Sequence, residues 1–149
     1  MAGIVGLGAA VAAIKKRAPK QRIKINNNLE ALRNKLVTGI LKSIPFCYLN
    51  GSKEQRLPNI ANISFERVEG ESILFALDQA GIAVSTGSAC ASGSLEPSHV
   101  LTAMDLPVER AHSSIRFSLG KYTSKEEISY VLKVLPKIIA KLRRLSPIK

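Results

Sequence analysis

Two rhythms of apolar and polar residues run along this chain. The first repeats every three to four positions. From Asn28 to Ile44 the residues Leu29, Leu32, Leu36, Ile40, Leu41 and Ile44 fall on one face, which predicts a helix ended by Pro45. A compact helix is expected from Glu71 to Ala80, striped by Ile73, Ala76, Leu77 and Ala80 and closed by Gly81. A long one begins after Thr123-Ser124-Lys125-Glu126, which has capping-box spacing, and carries Ile128, Val131, Leu132, Leu135, Ile138, Ile139 and Leu142, with Pro136 expected to kink it. The second rhythm has period two. In "SSIRFSLG" the residues Ile115, Phe117 and Leu119 point one way and Ser114, Arg116 and Ser118 the other. "NIANISFERV" sets Ile63 and Phe65 against Asn62, Ser64 and Glu66, and shorter strands are expected at Phe46–Leu49, before the Asn50-Gly51 turn, and at Ile82–Val84. Gly3 to Ala13 is alanine-rich and expected to be helical, with Pro19 breaking or kinking any helix that runs through it. A further helix is expected from a cap at Ser94 to about Asp105, stopping before Pro107.

Helices alternating with short strands give a mixed α/β (α+β) class, one short sheet with helices packed on it. There is no internal repeat or low-complexity linker, and 149 residues make one domain or a piece of a larger one. The apolar N-terminal run precedes its positive charges, the wrong order for a signal peptide, and is shorter than the ~20 residues of a membrane span, so a soluble, cytoplasmic protein is expected. A net charge of +11 raises an acidic partner such as RNA. The basic residues are scattered, gathering only in the last helix, and aromatics for base stacking are few.

Two cysteines and two histidines have no metal-ligand spacing. Cys47, among Phe46, Tyr48 and Leu49, reads as packing, and His99 and His112 as packing or local hydrogen bonding. Cys90 differs. It is flanked by alanines, then serines, then Gly87 and Gly93, in "STGSACASGS", and no bulky neighbour shields it. Glycine hinges around an unshielded thiol suit a travelling nucleophile; an incidental cysteine in a small-residue loop is the alternative. Arg116, in mid-strand between serines, would be costly to bury without an anion. Its fork matches a carboxylate, either a substrate's or that of a structural salt bridge.

"GIAVSTGSACASGSLEPSHVLTAMDLPVERAHSSIRFSLGKYTSKEEI" resembles the C-terminal part of the NifS/IscS-like cysteine desulfurases, in the class V aminotransferase group. "GIVGLGAAVAA" looks like the helix opening that family's small domain, and "YLNGSKEQRLPNIANISFERVEGESILFALDQAGIAVSTGSAC" matches in order and spacing, so residues 1–149 are expected to be one domain, the small C-terminal domain of a fold-type I enzyme. The resemblance implies a pyridoxal 5'-phosphate cofactor, L-cysteine as substrate, Cys90 as the nucleophile that becomes a persulfide, and Arg116 as the grip on the substrate carboxylate. It also implies a homodimer and a sulfur acceptor, such as an iron-sulfur scaffold or a tRNA-thiolation protein. The family's cofactor lysine follows a histidine, whereas here Val100 follows His99 and Ser113 follows His112. The large domain is therefore expected to be missing and the chain alone inactive. A truncated product is favoured over one half of a split enzyme needing a partner chain, a stand-alone persulfide carrier or a basic RNA-binding module.

Overall fold

The computed structural model describes residues 1–16, 18–87 and 97–147. Four short strands form one antiparallel sheet: β1 (Cys47–Leu49), β2 (Ile60–Phe65), β3 (Ser85–Thr86) and β4 (Ser114–Ser118), in the order β1-β2-β4-β3. β4 thus lies inside the sheet, with Arg116 in register with Asn62 on β2 and Ser85 on β3. The period-two pattern places Ala61, Ile63, Phe65, Ile115, Phe117 and Leu119 on one face, all buried. That face is covered by α2 (Pro19–Ser43), α3 (Gly70–Gln79) and α6 (Lys125–Leu145), whose stripes Leu32-Leu36-Ile40, Ile73-Leu77 and Ile128-Val131-Leu135-Ile139 complete the core. Each such side chain, fully buried, contributes about 1.5–3 kcal/mol.

Pro19 does break the chain, but as a start signal. It occupies the first turn of α2, where a missing N–H is no loss, so this helix begins well before Asn28. The helix before it, α1 (Ala2–Lys15), is apolar on every side and has no buried residue. No helix among the described residues is long and apolar enough to cross a membrane. The capping box of α6 lies one residue later than its sequence spacing suggests: Ser124 Oγ accepts from Glu127 N at 3.2 Å, and Ser124 N donates to Glu127 Oε2 at 2.7 Å. The helix runs on through Pro136.

The expected strand at Ile82–Val84 is not one. The Ile82 amide donates to Leu77 O at 2.9 Å, tying it to the end of α3, and ladder pairing starts only at Ser85. The expected helix to Asp105 is also shorter. α4 covers His99–Thr102, Asp105 turns the chain with φ +57°, and Pro107 caps a separate helix, α5 (Val108–His112). Asp tolerates this left-handed backbone, which ends any helix. The cap expected at Ser94 lies outside the described residues. α4 and α5 cover part of the second sheet face, where Ser64 Oγ donates to Arg110 O (2.8 Å) and Ser114 Oγ to Ala111 O (2.7 Å).

Candidate active site

Next to that covered end, the described residues leave the second face open. The side chains of Ile60, Asn62 and Arg116 floor a concave site of about 440 Å³. The loop Asn50–Leu57 walls one side, and Gly87, Ser98, Leu101 and Met104 wall the other. Arg116 is exposed, not buried, because among the described residues no helix packs over this part of the sheet. Among the described residues the only side-chain ion pair is Arg33–Glu30 (3.0 Å), so Arg116 has no salt bridge there. A strand bonded on both edges fixes its Cα, while the guanidinium reaches into solvent at the floor of the site.

The neighbouring wall is held by a buried polar network that the sequence pattern did not reveal. Asn50 Nδ2 donates to Asn62 Oδ1 (2.6 Å) and Ser64 Oγ (2.7 Å), and Arg110 donates to Asn50 Oδ1 (3.2 Å) while lying 4.5 Å over the Tyr48 ring. Arg56 ties its own loop, its Nε donating to Ser52 O at 2.6 Å. Burial, and then the charge of Arg33, pushes its pKa below the usual arginine value. Arg33, 3% exposed, anchors the loop to α2 through Leu57 O at 2.8 Å. A charged residue at a position of α2 that pattern alone marks as apolar was the available signal for it.

Cys90 lies outside the described residues. The chain leaves the described region at Gly87 and re-enters at Pro97, and Gly87 and Ser98 both line the Arg116 site. A Cβ built at Gly87 would stand 3.4 Å from Ser98 Cβ, so the two stems touch. Cys47 has a different setting. Its Sγ donates to Ile44 O at 3.0 Å, and burial raises its pKa above the ordinary thiol value, with Arg143 opposing. His99 is exposed at the start of α4 rather than packed, because that short helix turns only Leu101 inward; His112 is half-buried at the end of α5.

The model of the family "Aminotransferase class-V" matches residues 1–131. The chain belongs to the class-V aminotransferase family. Among class-V relatives it is 51% identical over 146 residues to the cysteine desulfurase NifS of Azotobacter vinelandii, which covers 98% of this chain and 35% of that protein. It is 52% identical over 149 residues to the cysteine desulfurase IscS of Dictyoglomus turgidum, covering 100% of this chain and 37% of that one. A solved NifS-like protein superposes with a TM-score of 0.69 at 33% identity, over 80% of this chain and 29% of its own. The chain thus spans about a third of the length of the relatives it matches. Its α+β architecture agrees with the class-V fold expected from its sequence.

Proposed function

We propose that this chain is the small, C-terminal domain of a cysteine desulfurase, supplying the substrate grip and the sulfur-accepting thiol of an enzyme that converts L-cysteine to L-alanine. The observation that carries this reading is Arg116. It is an exposed guanidinium without a carboxylate partner among the described residues, flooring a site whose rim is formed by both stems of the Cys90 segment. Cys90 follows Gly87 by three residues, a separation that a fully extended chain limits to about 11 Å.

In this reading Arg116 takes the substrate carboxylate through two parallel N–H···O bonds. Asn62 and Ser85, beside it on the neighbouring strands, set its lateral position. Pyridoxal phosphate would supply the electron sink for such chemistry. The described lining of the site contains neither a lysine for its aldehyde nor a carboxylate for its ring nitrogen, so these residues do not fit it as a holder. Its attachment belongs to the large domain or partner chain that completes the enzyme. Cys90 acts as a thiolate: its sulfur bonds to the substrate sulfur as the substrate's Cβ–S bond breaks, the electron pair of that bond stays with the carbon fragment, which takes up a proton to become alanine, and the outer sulfur of the resulting persulfide is passed on. The acceptor's thiolate bonds to that sulfur as the S–S bond breaks, and Cys90 leaves with the electron pair. A reducing, cytosolic setting keeps the thiol available.

The test combines residues 1–149 with the portion of Azotobacter vinelandii NifS that lies outside the matched region, pyridoxal phosphate and sulfur-labelled L-cysteine. Label should reside on Cys90 and vanish in Cys90→Ala. Arg116→Gln should raise the cysteine KM at least about tenfold, as expected for losing a charge-assisted pair. Equal labelling of Cys90→Ala, or an unchanged KM in Arg116→Gln, overturns the assignment.

A further inference from the structure

At a corner away from the Arg116 site, three observations converge on Phe46. It joins α2 to β1, is 50% exposed, and holds φ +52°, a backbone that bulky residues avoid. Arg67, just after β2, also has positive φ, at +67°, and its guanidinium lies 4.9 Å from the centre of the Phe46 ring. Arg143, in the last turn of α6, lies 6.0 Å from the same centre. Two of the three non-glycine residues with positive φ among those described thus meet at one ring. Strain of this kind persists where the surroundings enforce it, and it clusters at functional sites.

The enforcement is visible. Arg143 donates from Nε to Glu66 O (3.1 Å) and from an Nη to Phe46 O (3.0 Å), and the Glu66 amide donates to Phe46 O at 3.0 Å. These bonds fix the backbone that presents the ring. Neither guanidinium has a carboxylate within ion-pair distance among the described residues. The nearest acid in sequence, Glu66, bonds to this corner through its backbone amide and carbonyl, and its charge acts on Arg143 without closing an ion pair. Arg143 is half-buried, and burial followed by the charge of Arg67 depresses its pKa. Basic residues at a helix C-terminus often answer the helix dipole. That does not account for Arg67, which is on no helix, nor for Arg143, which binds carbonyls of another segment. Lys42 and Arg144 carry further positive charge in the last turns of α2 and α6.

We propose that the Phe46–Arg67–Arg143 corner is a binding site for single-stranded RNA, with phosphates on the two guanidiniums and a base stacked on the phenyl ring. An acidic peptide would use the charges but not the exposed ring. A guanidinium already stacked on a phenyl leaves a flat surface that a base extends. The overall +11 charge draws such a polyanion in.

The test is fluorescence anisotropy of a labelled oligouridylate with the full chain across a salt series, with melting curves to confirm that each variant is folded. Arg67→Ala should flatten the dependence of log K on log salt by about 0.7, one phosphate contact on a single strand. Phe46→Leu should weaken binding at least about fivefold with the slope retained, the mark of lost stacking. Lys53→Ala, in the loop beside Arg116, should leave the slope unchanged. Binding unaltered in Arg67→Ala and Phe46→Leu, an equal loss of slope in Lys53→Ala, equal competition by polyglutamate, or no RNA binding at all would each overturn the proposal.

Discussion

Gly87 follows β3 alongside Ser114 of β4, and adding one methyl group there tests how tightly the site is assembled. A Cβ at Gly87 would stand 2.7 Å from Ser114 Oγ, 3.0 Å from Leu101 Cδ1 and 3.4 Å from Ser98 Cβ. The first two are closer than carbon normally approaches, and they belong to β4 and α4. Two relaxations are open. Ser114 could turn its hydroxyl away, but that hydroxyl is fully buried and bonded to Ala111 O at 2.7 Å, and stranding a buried polar group costs about 1–3 kcal/mol. Alternatively, α4 could shift off the sheet, an overpacking cost of about 1–3 kcal/mol. Either way Gly87→Ala should lose about 1–3 kcal/mol in urea unfolding, or about 2–4 °C of melting temperature per kcal/mol for a chain of this size. The decisive measurement is a double-mutant cycle with Ser114→Ala, which removes the clashing oxygen. The double variant should be more stable than the sum of the single effects predicts, by about 0.5 kcal/mol or more. Strict additivity, or a Gly87→Ala protein as stable as its parent, would refute the claim that stem, strand and α4 are packed as one unit.

Three more measurements probe other parts of the fold. Ser124→Ala removes the capping box of α6 and should lower stability by about 0.5–2 kcal/mol in urea unfolding, whereas Thr123→Ala should cost less. Cys47 has its pKa raised in the folded protein, so its contribution to stability is complete below the unfolded thiol pKa and is lost as pH rises through the folded value; its reaction with a disulfide reagent near pH 8, measured in Cys90→Ala, should be slower in the folded chain than in urea, and equal rates would contradict the burial argument. Deleting residues 1–16 removes a helix with no buried side chain and should leave the unfolding free energy of the remainder within about 0.5 kcal/mol of the parent.

The parts of this fold legible in the sequence are those where one face is wholly apolar. β4, α3 and α6 follow their periodicity because a single large surface covers each of them. The misreadings have local causes. The long N-terminal extension of α2 is polar and exposed, so no stripe marks it, and Pro19 acts through its position in the first turn. The break between α4 and α5 depends on one left-handed Asp105, a conformation that composition does not announce. Of the site, Arg116 stands out as a charge on a strand, but its exposure is not legible, because whether the second sheet face is covered depends on where α4 and α5 settle. The Asn50–Asn62–Ser64 network is a matter of register between segments far apart in sequence. Phe46 reads as part of a strand, and its left-handed backbone shows only in three dimensions.

The strand order has a consequence for how such a site can change over time. Because β4 is laddered to neighbours on both sides, Arg116 sits on an interior strand whose position is held from both edges. Gly87 and Ser98 line the same site from outside that ladder. In the proposed desulfurase reading, sequence change between positions 87 and 97 alters none of the residues paired in that ladder, so the sulfur acceptor can change while the grip on the donor stays as it was.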